Sequence, residues 1–234
     1  MRLLIFDLDG TLIDSRADLA GSVNATLEHL GREPMPLEQV AAYVGDGAAL
    51  LVERALGLQP APDRRLRTPE RRALNPSERA LAEAGLEFFL SYYRQHQLDC
   101  TTLYPGVGAG VEQLAAAGYQ LAVLSNKPVG PSRAIVAGLG LAPFFGAVLG
   151  GDSFMQKKPD PVGVRALVAE AGVAPRQAVM IGDSIVDVQA GRQAGAYACG
   201  AAWGFAPQGF ALEPPDWIAP SFEVLTGQLL TANG

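Results

Sequence analysis

The chain has 234 residues, enough to bury a substantial core as one large domain or as a core domain with a smaller insertion. Its 49% hydrophobic content includes no apolar run of about 18 residues, so we expect no membrane insertion. A net charge of -6 without a basic stripe argues against a nucleic-acid partner, and two widely separated cysteines indicate a reducing, cytoplasmic setting rather than a disulfide scaffold or a zinc site.

Short apolar runs alternate with helical patterns along most of the chain. In chain order the predicted strands cover residues 3–6, 120–124, 147–150, 179–181 and 197–199. Such alternation is typical of a parallel sheet with helices on both faces. The sequence therefore predicts the α/β class, a doubly wound parallel sheet with a Rossmann-like core, which binds its ligands beyond the carboxyl ends of the strands.

Residues 15–97 interrupt this alternation with helical patterns alone. The first pattern opens at Ser15 and Asp18, which resemble a capping box, and closes at Gly31. A second covers 37–56 with a break at 45–47, and a third covers 78–97. The proline- and arginine-rich residues 57–77 between them are expected to form a loop or to be partly disordered. We predict a catalytic core domain of residues 1–14 and 98–234, with a helical cap domain of residues 15–97 inserted after the first strand.

Acidic residues follow two of the predicted strands. Asp7 and Asp9 are two positions apart, so an extended backbone places both carboxylates on one side. Two close carboxylates favour a bound cation or a raised pKa, which suits a nucleophile beside a proton shuttle, although the segment could also be a turn with a helix cap. Asp183 and Asp187 follow the fourth strand. Asp183 either caps a helix or completes a carboxylate site for Mg²⁺, which prefers carboxylates, waters and a phosphate oxygen as ligands.

Three further residues could bind a phosphoryl group at the same edge of the sheet. Lys158 precedes a predicted helix and supplies a cation for the negative charge that phosphoryl transfer spreads over oxygen atoms. Ser125 and Asn126 follow the second strand and offer a hydroxyl and an amide. Because a Ser-Asn pair after a strand is also a common turn, its value as a signal lies in its position relative to the other motifs.

Taken in order, these motifs resemble those of the haloacid dehalogenase superfamily. The resemblance implies that Asp7 is a nucleophile that forms an aspartyl phosphate, and that Asp9 is the general acid and base. It also implies that Ser125, Asn126 and Lys158 bind the phosphoryl oxygens. The segments that carry the resemblance are Asp-Leu-Asp-Gly-Thr at 7–11, Ser-Asn at 125–126, Lys-Pro at 158–159, and Gly-Asp-Ser at 182–184 with Asp187.

The same resemblance implies a Mg²⁺ cofactor. Its ligands would be the Asp7 carboxylate, the Asp9 main-chain carbonyl and Asp183, with Asp187 in direct or supporting contact. Residues 43–47, 51–56, 202–205 and 215–218 are similar to the phosphoglycolate phosphatase-like branch of the family, whereas residues 59–77 fit none of its cap patterns. Arg54 in the predicted cap would either reach a substrate carboxylate or lie on a helix surface.

The implied activity is a Mg²⁺-dependent hydrolysis of a small phosphorylated metabolite, with 2-phosphoglycolate as the first candidate. A phosphosugar phosphatase or a phosphosugar mutase on the same core is the enzymatic alternative. A non-catalytic binding protein is the alternative from another class, although every position that carries chemistry is filled. A dehalogenase is disfavoured, because carbon–halogen displacement needs no acid at Asp9. We expect a monomer or a homodimer.

Overall fold

A computed structural model of the chain describes residues 1–62 and 71–233. The central part of the predicted loop, residues 63–70, lies outside the described residues. The chain divides into two compact units, one of Met1–Asp14 with Leu103–Gly234 and one of Ser15–Thr102, so the return boundary lies at 102/103 where the sequence suggested 97/98. In the described part of the chain, no helix combines the length and the apolar character that a membrane span requires.

A six-stranded sheet forms the centre of the first unit. The strands of the described residues are β1 (Leu3–Phe6), β2 (Ile13–Asp14), β3 (Thr102–Leu103), β4 (Gln120–Leu124), β5 (Ala147–Leu149), β6 (Ala178–Gly182), β7 (Tyr197–Ala201) and β8 (Trp217–Ala219). The large sheet has the order β5-β4-β1-β6-β7-β8 and is parallel throughout, while β2 and β3 form a second, two-stranded sheet. The doubly wound α/β class is therefore confirmed.

Helices follow most of these strands. Those of the described residues are α1 (Arg16–His29), α2 (Leu37–Tyr43), α3 (Ala48–Ala55), α4 (Pro76–His96), α5 (Val107–Ala116), α6 (Val129–Gly138), α7 (Val162–Glu170), α8 (Ile185–Gln193) and α9 (Phe222–Asn233). Short 3-10 helices cover Ala142–Phe144, Pro175–Gln177 and Pro207–Ala211. The predicted strands are found within one or two residues of their expected ends, whereas the short β2, β3 and β8 carry too few residues for a recognisable pattern.

The central strand β1 explains how the sheet is buried. All of its residues are buried, as expected for a parallel strand covered on both faces. Leu3 and Ile5 pack in a cluster with apolar residues of α7 and α8. Because side chains alternate along a strand, Phe6 points to the opposite face, where its ring stacks on Phe222 of α9 with 5.8 Å between centroids. This packing fixes the position of β1, so its carboxyl end lies between the carboxyl ends of β4 and β6.

The beginning of α1 differs from the prediction. Ser15 precedes the helix, but its side chain makes no capping hydrogen bond, so the capping box expected with Asp18 is wrong. The Asp18 carboxylate instead accepts the backbone N–H groups of Cys100 and Thr101, at distances of 2.8 to 3.1 Å. This buried carboxylate therefore fastens the end of the helical unit to its beginning.

A capping box forms at the start of α4 instead. Asn75 Oδ1 accepts the Glu78 N–H at 2.9 Å, and Glu78 Oε2 accepts the Asn75 N–H at 3.0 Å. Pro76 occupies the first helical position, where its fixed φ and missing N–H cost nothing. The helix consequently begins two residues before the predicted residue 78. The sequence of Asn75, Pro76 and Glu78 already contained the signal for this start. The predicted break at 45–47 is confirmed, since it separates α2 from α3.

Arg54 lies inside the helical unit rather than on its surface. Its side chain is 1% exposed and forms an ion pair with Asp46 at 2.6 Å. The guanidinium also donates to the main-chain carbonyls of Tyr43 at 3.2 Å and Pro60 at 3.3 Å. The expectation of a surface arginine is therefore wrong, because this side chain ties the 45–47 turn to the segment after α3.

Candidate active site

The predicted site residues follow β5, β4, β1 and β6, four adjacent strands of the parallel sheet, with Lys158 in the segment between β5 and α7. The chain leaves β1 toward β4 and β5 and later returns to β6 on the other side of β1. The order of the strands thus reverses around β1. Crevices at the carboxyl ends of strands around such a reversal are the usual ligand sites of open α/β sheets. The topology therefore places the acidic motifs and the Ser-Asn pair at one edge.

The turn after β1 holds the two carboxylates in different surroundings. The Asp7 N–H donates to the Ile181 carbonyl at 2.8 Å, which extends the pairing of β1 with β6 by one residue. Beyond it the chain turns at Gly10, whose φ of +83° lies in the left-handed region that favours glycine. Asp7 pairs with Lys158, whereas Asp9 pairs with Lys127. Each of the two carboxylates therefore has its own lysine.

Lys158 bridges two carboxylates in the interior of the site. Its ammonium nitrogen lies 2.9 Å from Asp7 Oδ1 and 2.6 Å from Asp187 Oδ1, and its side chain is only 2% exposed. Asp187 Oδ2 accepts the Ser184 N–H at 3.1 Å and the Ser184 hydroxyl at 2.6 Å, which completes a capping box at the start of α8. Asp187 is thus held on both oxygens and in turn orients Lys158.

Asp183 is held by the loop after β7. Its Oδ2 accepts the backbone N–H groups of Phe205 at 2.6 Å and Ala206 at 3.1 Å. A Cβ on Gly204 would lie 2.1 Å from Asp183 Cβ and 2.4 Å from the Gly10 carbonyl oxygen, so only glycine fits between them. Sequence reasoning had not included residues 204–206 in the site. The glycine between two aromatic residues was the available signal.

The electrostatics of this group are dominated by negative charge. Burial raises the pKa of Asp183 to about 8, and the neighbouring charges of Asp187 and Asp7 add to the effect. Burial likewise raises the pKa of Asp7 to about 6, against the lowering influence of the Lys158 ammonium. The pKa of Lys158 is raised although its own burial opposes this, because Asp187 and Asp7 favour its charged form. One lysine does not balance these carboxylates.

The same residues fit a divalent cation. Oxygen atoms of Asp7, Asp183 and Asp187 all lie within 4.8 Å of one another, and the three residues are buried. Together with Lys158 they leave two formal negative charges, which a divalent ion would offset. A set of carboxylate oxygens is what hard cations such as Mg²⁺ prefer. The Asp9 carboxylate is not part of this group, so the ligand predicted from Asp9 would be its main-chain carbonyl.

The turn after β4 brings the remaining predicted residues to this edge. Ser125 and Asn126 are buried. Ser125 Oγ accepts the Lys127 N–H at 3.2 Å, and Asn126 Nδ2 donates to the Lys158 carbonyl at 3.0 Å. Lys127 itself is 7% exposed, and its ammonium nitrogen lies 3.0 Å from Asp9 Oδ1. Sequence reasoning missed Lys127, although its position directly after the Ser-Asn pair was a usable signal. Lys157 is exposed.

Comparisons with known proteins agree with this arrangement. A family model described as haloacid dehalogenase-like hydrolase matches residues 1–195. Phosphoglycolate phosphatases of Chromobacterium violaceum and Neisseria meningitidis are 38% and 37% identical to the chain, over 88% and 94% of it and 87% and 90% of their own lengths. A crystal structure from Haemophilus somnus, of a predicted phosphoglycolate phosphatase, is 31% identical and covers 98% of both chains with a TM-score of 0.85.

Proposed function

The chain belongs to the haloacid dehalogenase-like hydrolase family, and on that premise we propose that it is a Mg²⁺-dependent phosphatase that forms an aspartyl phosphate on Asp7. The observation that carries the proposal is the buried Asp7 carboxylate, which lies 2.9 Å from the Lys158 ammonium beside two further carboxylates. A carboxylate nucleophile, a cation for the phosphoryl oxygens and a cation-binding group are the parts that phosphoryl transfer requires.

In the first step an Asp7 oxygen attacks phosphorus while the bond from phosphorus to the leaving oxygen breaks. Asp9 gives its proton to that oxygen, so the leaving group departs as a neutral alcohol. In the second step Asp9 takes a proton from water, and the water oxygen attacks phosphorus. This releases inorganic phosphate and regenerates the Asp7 carboxylate. The exchange balances, because the proton that Asp9 lends in one step returns to it in the next.

The remaining residues hold the phosphoryl group. Lys158 offers its charge to the phosphoryl oxygens, and Ser125 and Asn126 lie in the turn beside it. Asp7, Asp183 and the Asp9 carbonyl would bind Mg²⁺, which when present offsets the charge of the carboxylates and the phosphate. Asp187 would support the site indirectly by orienting Lys158, since its two oxygens accept hydrogen bonds from Lys158 and Ser184.

We propose 2-phosphoglycolate or a similar small phosphomonoester as the substrate. The support is the identity of 37 to 38% to phosphoglycolate phosphatases across most of both chains. Phosphosugars remain in the test as competing substrates. A mutase would transfer the phosphoryl group between hydroxyls of a sugar without net release of phosphate, so product analysis distinguishes the two reactions.

The test measures phosphate release from 2-phosphoglycolate and a panel of phosphosugars, with Mg²⁺ and with EDTA. We expect hydrolysis only with the metal, and a loss of at least about a thousand-fold in kcat for Asp7→Asn, because an amide is no nucleophile. Asp152→Asn, which alters an exposed carboxylate, is the matched control and should keep full activity. Near wild-type turnover by Asp7→Asn would refute the assignment of the nucleophile.

A further inference from the structure

Lys127 is the second buried lysine of the site, and the reaction as described does not use it. Its side chain is 5% exposed, and its ammonium nitrogen lies 3.0 Å from Oδ1 of Asp9, whose side chain is 12% exposed. A buried ammonium loses its hydration, so its place in a protein depends on nearby negative charge. Lys127 therefore brings a fixed positive charge to the part of the site that surrounds Asp9.

The backbone of Lys127 is held from several directions. Its N–H donates to Ser125 Oγ at 3.2 Å, and its carbonyl accepts the Gly151 N–H at 2.8 Å. A Cβ on Gly150 would lie 2.7 Å from that carbonyl oxygen, and one on Gly151 would lie 2.3 Å from the Asn126 carbonyl oxygen. The two glycines, which follow β5, thus let the chain pass directly against the turn at residues 126–127. The root of the Lys127 side chain is fixed as binding residues require.

The two lysines face different halves of the substrate in the proposed reaction. Lys158 contacts the nucleophile Asp7, so its charge serves the phosphoryl group that is transferred. Lys127 contacts Asp9, which must reach the leaving oxygen to give it a proton. The Lys127 ammonium therefore lies beside the leaving group, where an anionic substituent would meet it in a site of low dielectric.

We propose that Lys127 is the residue that selects the substrate, by binding a carboxylate carried on the leaving group close to the ester oxygen. The inference rests on the proposed function, because it needs Asp9 to act at the leaving oxygen. It narrows the substrates to small phosphomonoesters of hydroxy acids. A carboxylate on the leaving group would gain a charge-assisted contact with the Lys127 ammonium beside Asp9, whereas a neutral alcohol would not.

The experiment compares 2-phosphoglycolate with 2-hydroxyethyl phosphate, which differs by a hydroxymethyl group in place of the carboxylate. We expect wild-type protein with Mg²⁺ to prefer 2-phosphoglycolate in kcat/KM. Lys127→Met should reduce that preference by about 10- to 100-fold, the range for a hydrogen bond to a charged group. Lys127→Arg should retain part of it. Lys157→Met removes an exposed lysine that the proposed reaction does not use, and it should leave the preference unchanged.

The outcomes separate this inference from the proposed function. An equal loss with both substrates in Lys127→Met would show that Lys127 only positions Asp9, and would overturn the inference. Equal wild-type rates with both substrates would overturn it too, while the phosphatase function would stand. Failure of the wild-type protein to hydrolyse either ester, or any other phosphomonoester, would instead refute the function. If Lys127→Met does not fold, inhibition of the wild-type protein decides, since glycolate should compete with substrate and ethylene glycol should not.

Discussion

The Asp183→Asn substitution should stabilise the metal-free protein while it removes activity. Asp183 is buried beside two other carboxylates, and that surrounding opposes its ionisation. Asparagine has nearly the same shape and cannot ionise. Its carbonyl oxygen can accept the N–H groups of Phe205 and Ala206, which the Asp183 carboxylate accepts in the wild-type protein. Its amide can also donate to a neighbouring carboxylate.

The magnitude follows from the raised pKa of Asp183. Folding raises this pKa from its ordinary value of 3.8 to about 8, so the folded state binds the proton more tightly than the unfolded state. The stability that this proton contributes is fully present below about pH 4 and is lost as the pH rises toward 8. At about 1.4 kcal/mol per pH unit, the loss by pH 7 is about 4 kcal/mol as an upper figure. Asparagine avoids this loss.

Urea unfolding in EDTA at pH 5 and at pH 7.5 measures the difference. The advantage of Asp183→Asn over the wild-type protein should grow between the two pH values, with unchanged m-values. Asp152→Asn makes the same chemical change at an exposed carboxylate, which accepts the Val129 N–H at 2.7 Å, and its effect should stay small at both. An Asp183→Asn protein that is less stable than the wild type, by the same amount at both pH values, would refute the reasoning.

Mg²⁺ should reverse the order of stability of the wild-type protein and Asp183→Asn. A ligand that binds only the folded state stabilises it by about 2.7 kcal/mol at a concentration of 100 times its Kd. The wild-type protein should gain this stabilisation from Mg²⁺, and Asp183→Asn should gain much less because it lacks one carboxylate ligand. Activity with Mg²⁺ should fall in parallel. Equal stabilisation of both proteins by Mg²⁺ would mean that Asp183 is not a ligand.

Two further predictions concern packing, and urea unfolding checks both. Gly204→Ala forces a Cβ to within 2.1 Å of Asp183 Cβ, so it should lower the free energy of unfolding by about 1–3 kcal/mol and remove most of the activity. The control Gly227→Ala points its Cβ into open space on α9 and should raise the free energy of unfolding by up to about 1 kcal/mol. Arg54→Met removes a side chain that is 1% exposed together with its ion pair and carbonyl contacts, and should lower the free energy of unfolding by about 3 kcal/mol. The control Arg72→Met removes a side chain that is 47% exposed and should hardly change the midpoint of urea unfolding.

The helical unit shows where local patterns succeed and where they fail. The break between α2 and α3 could be predicted because two glycines flank an aspartate at 45–47, a local arrangement that favours a turn over a continued helix. The burial of Arg54 could not be predicted from local patterns, because its partners come from the turn at 45–47 and from the segment after α3. The Asp18 half of the expected capping box failed for a similar reason, because the Asp18 carboxylate accepts hydrogen bonds from the chain at residues 100–101. Distant partners overrode a local preference in both cases.

The sequence by itself determined the α/β class, the helical insertion and the order of the motifs, because strand and helix periods and the residues after strand ends are local properties. Only the tertiary structure decided which charges meet. Lys127 reaches Asp9 across 118 positions in the chain, and the Phe205 N–H reaches Asp183 across 22. Such pairs arise where parallel strands end side by side, and no spacing along the chain encodes that adjacency. The acidic motif that contains Asp7 was thus recognisable in the sequence, whereas the lysine that we propose to select the substrate was found only in the fold.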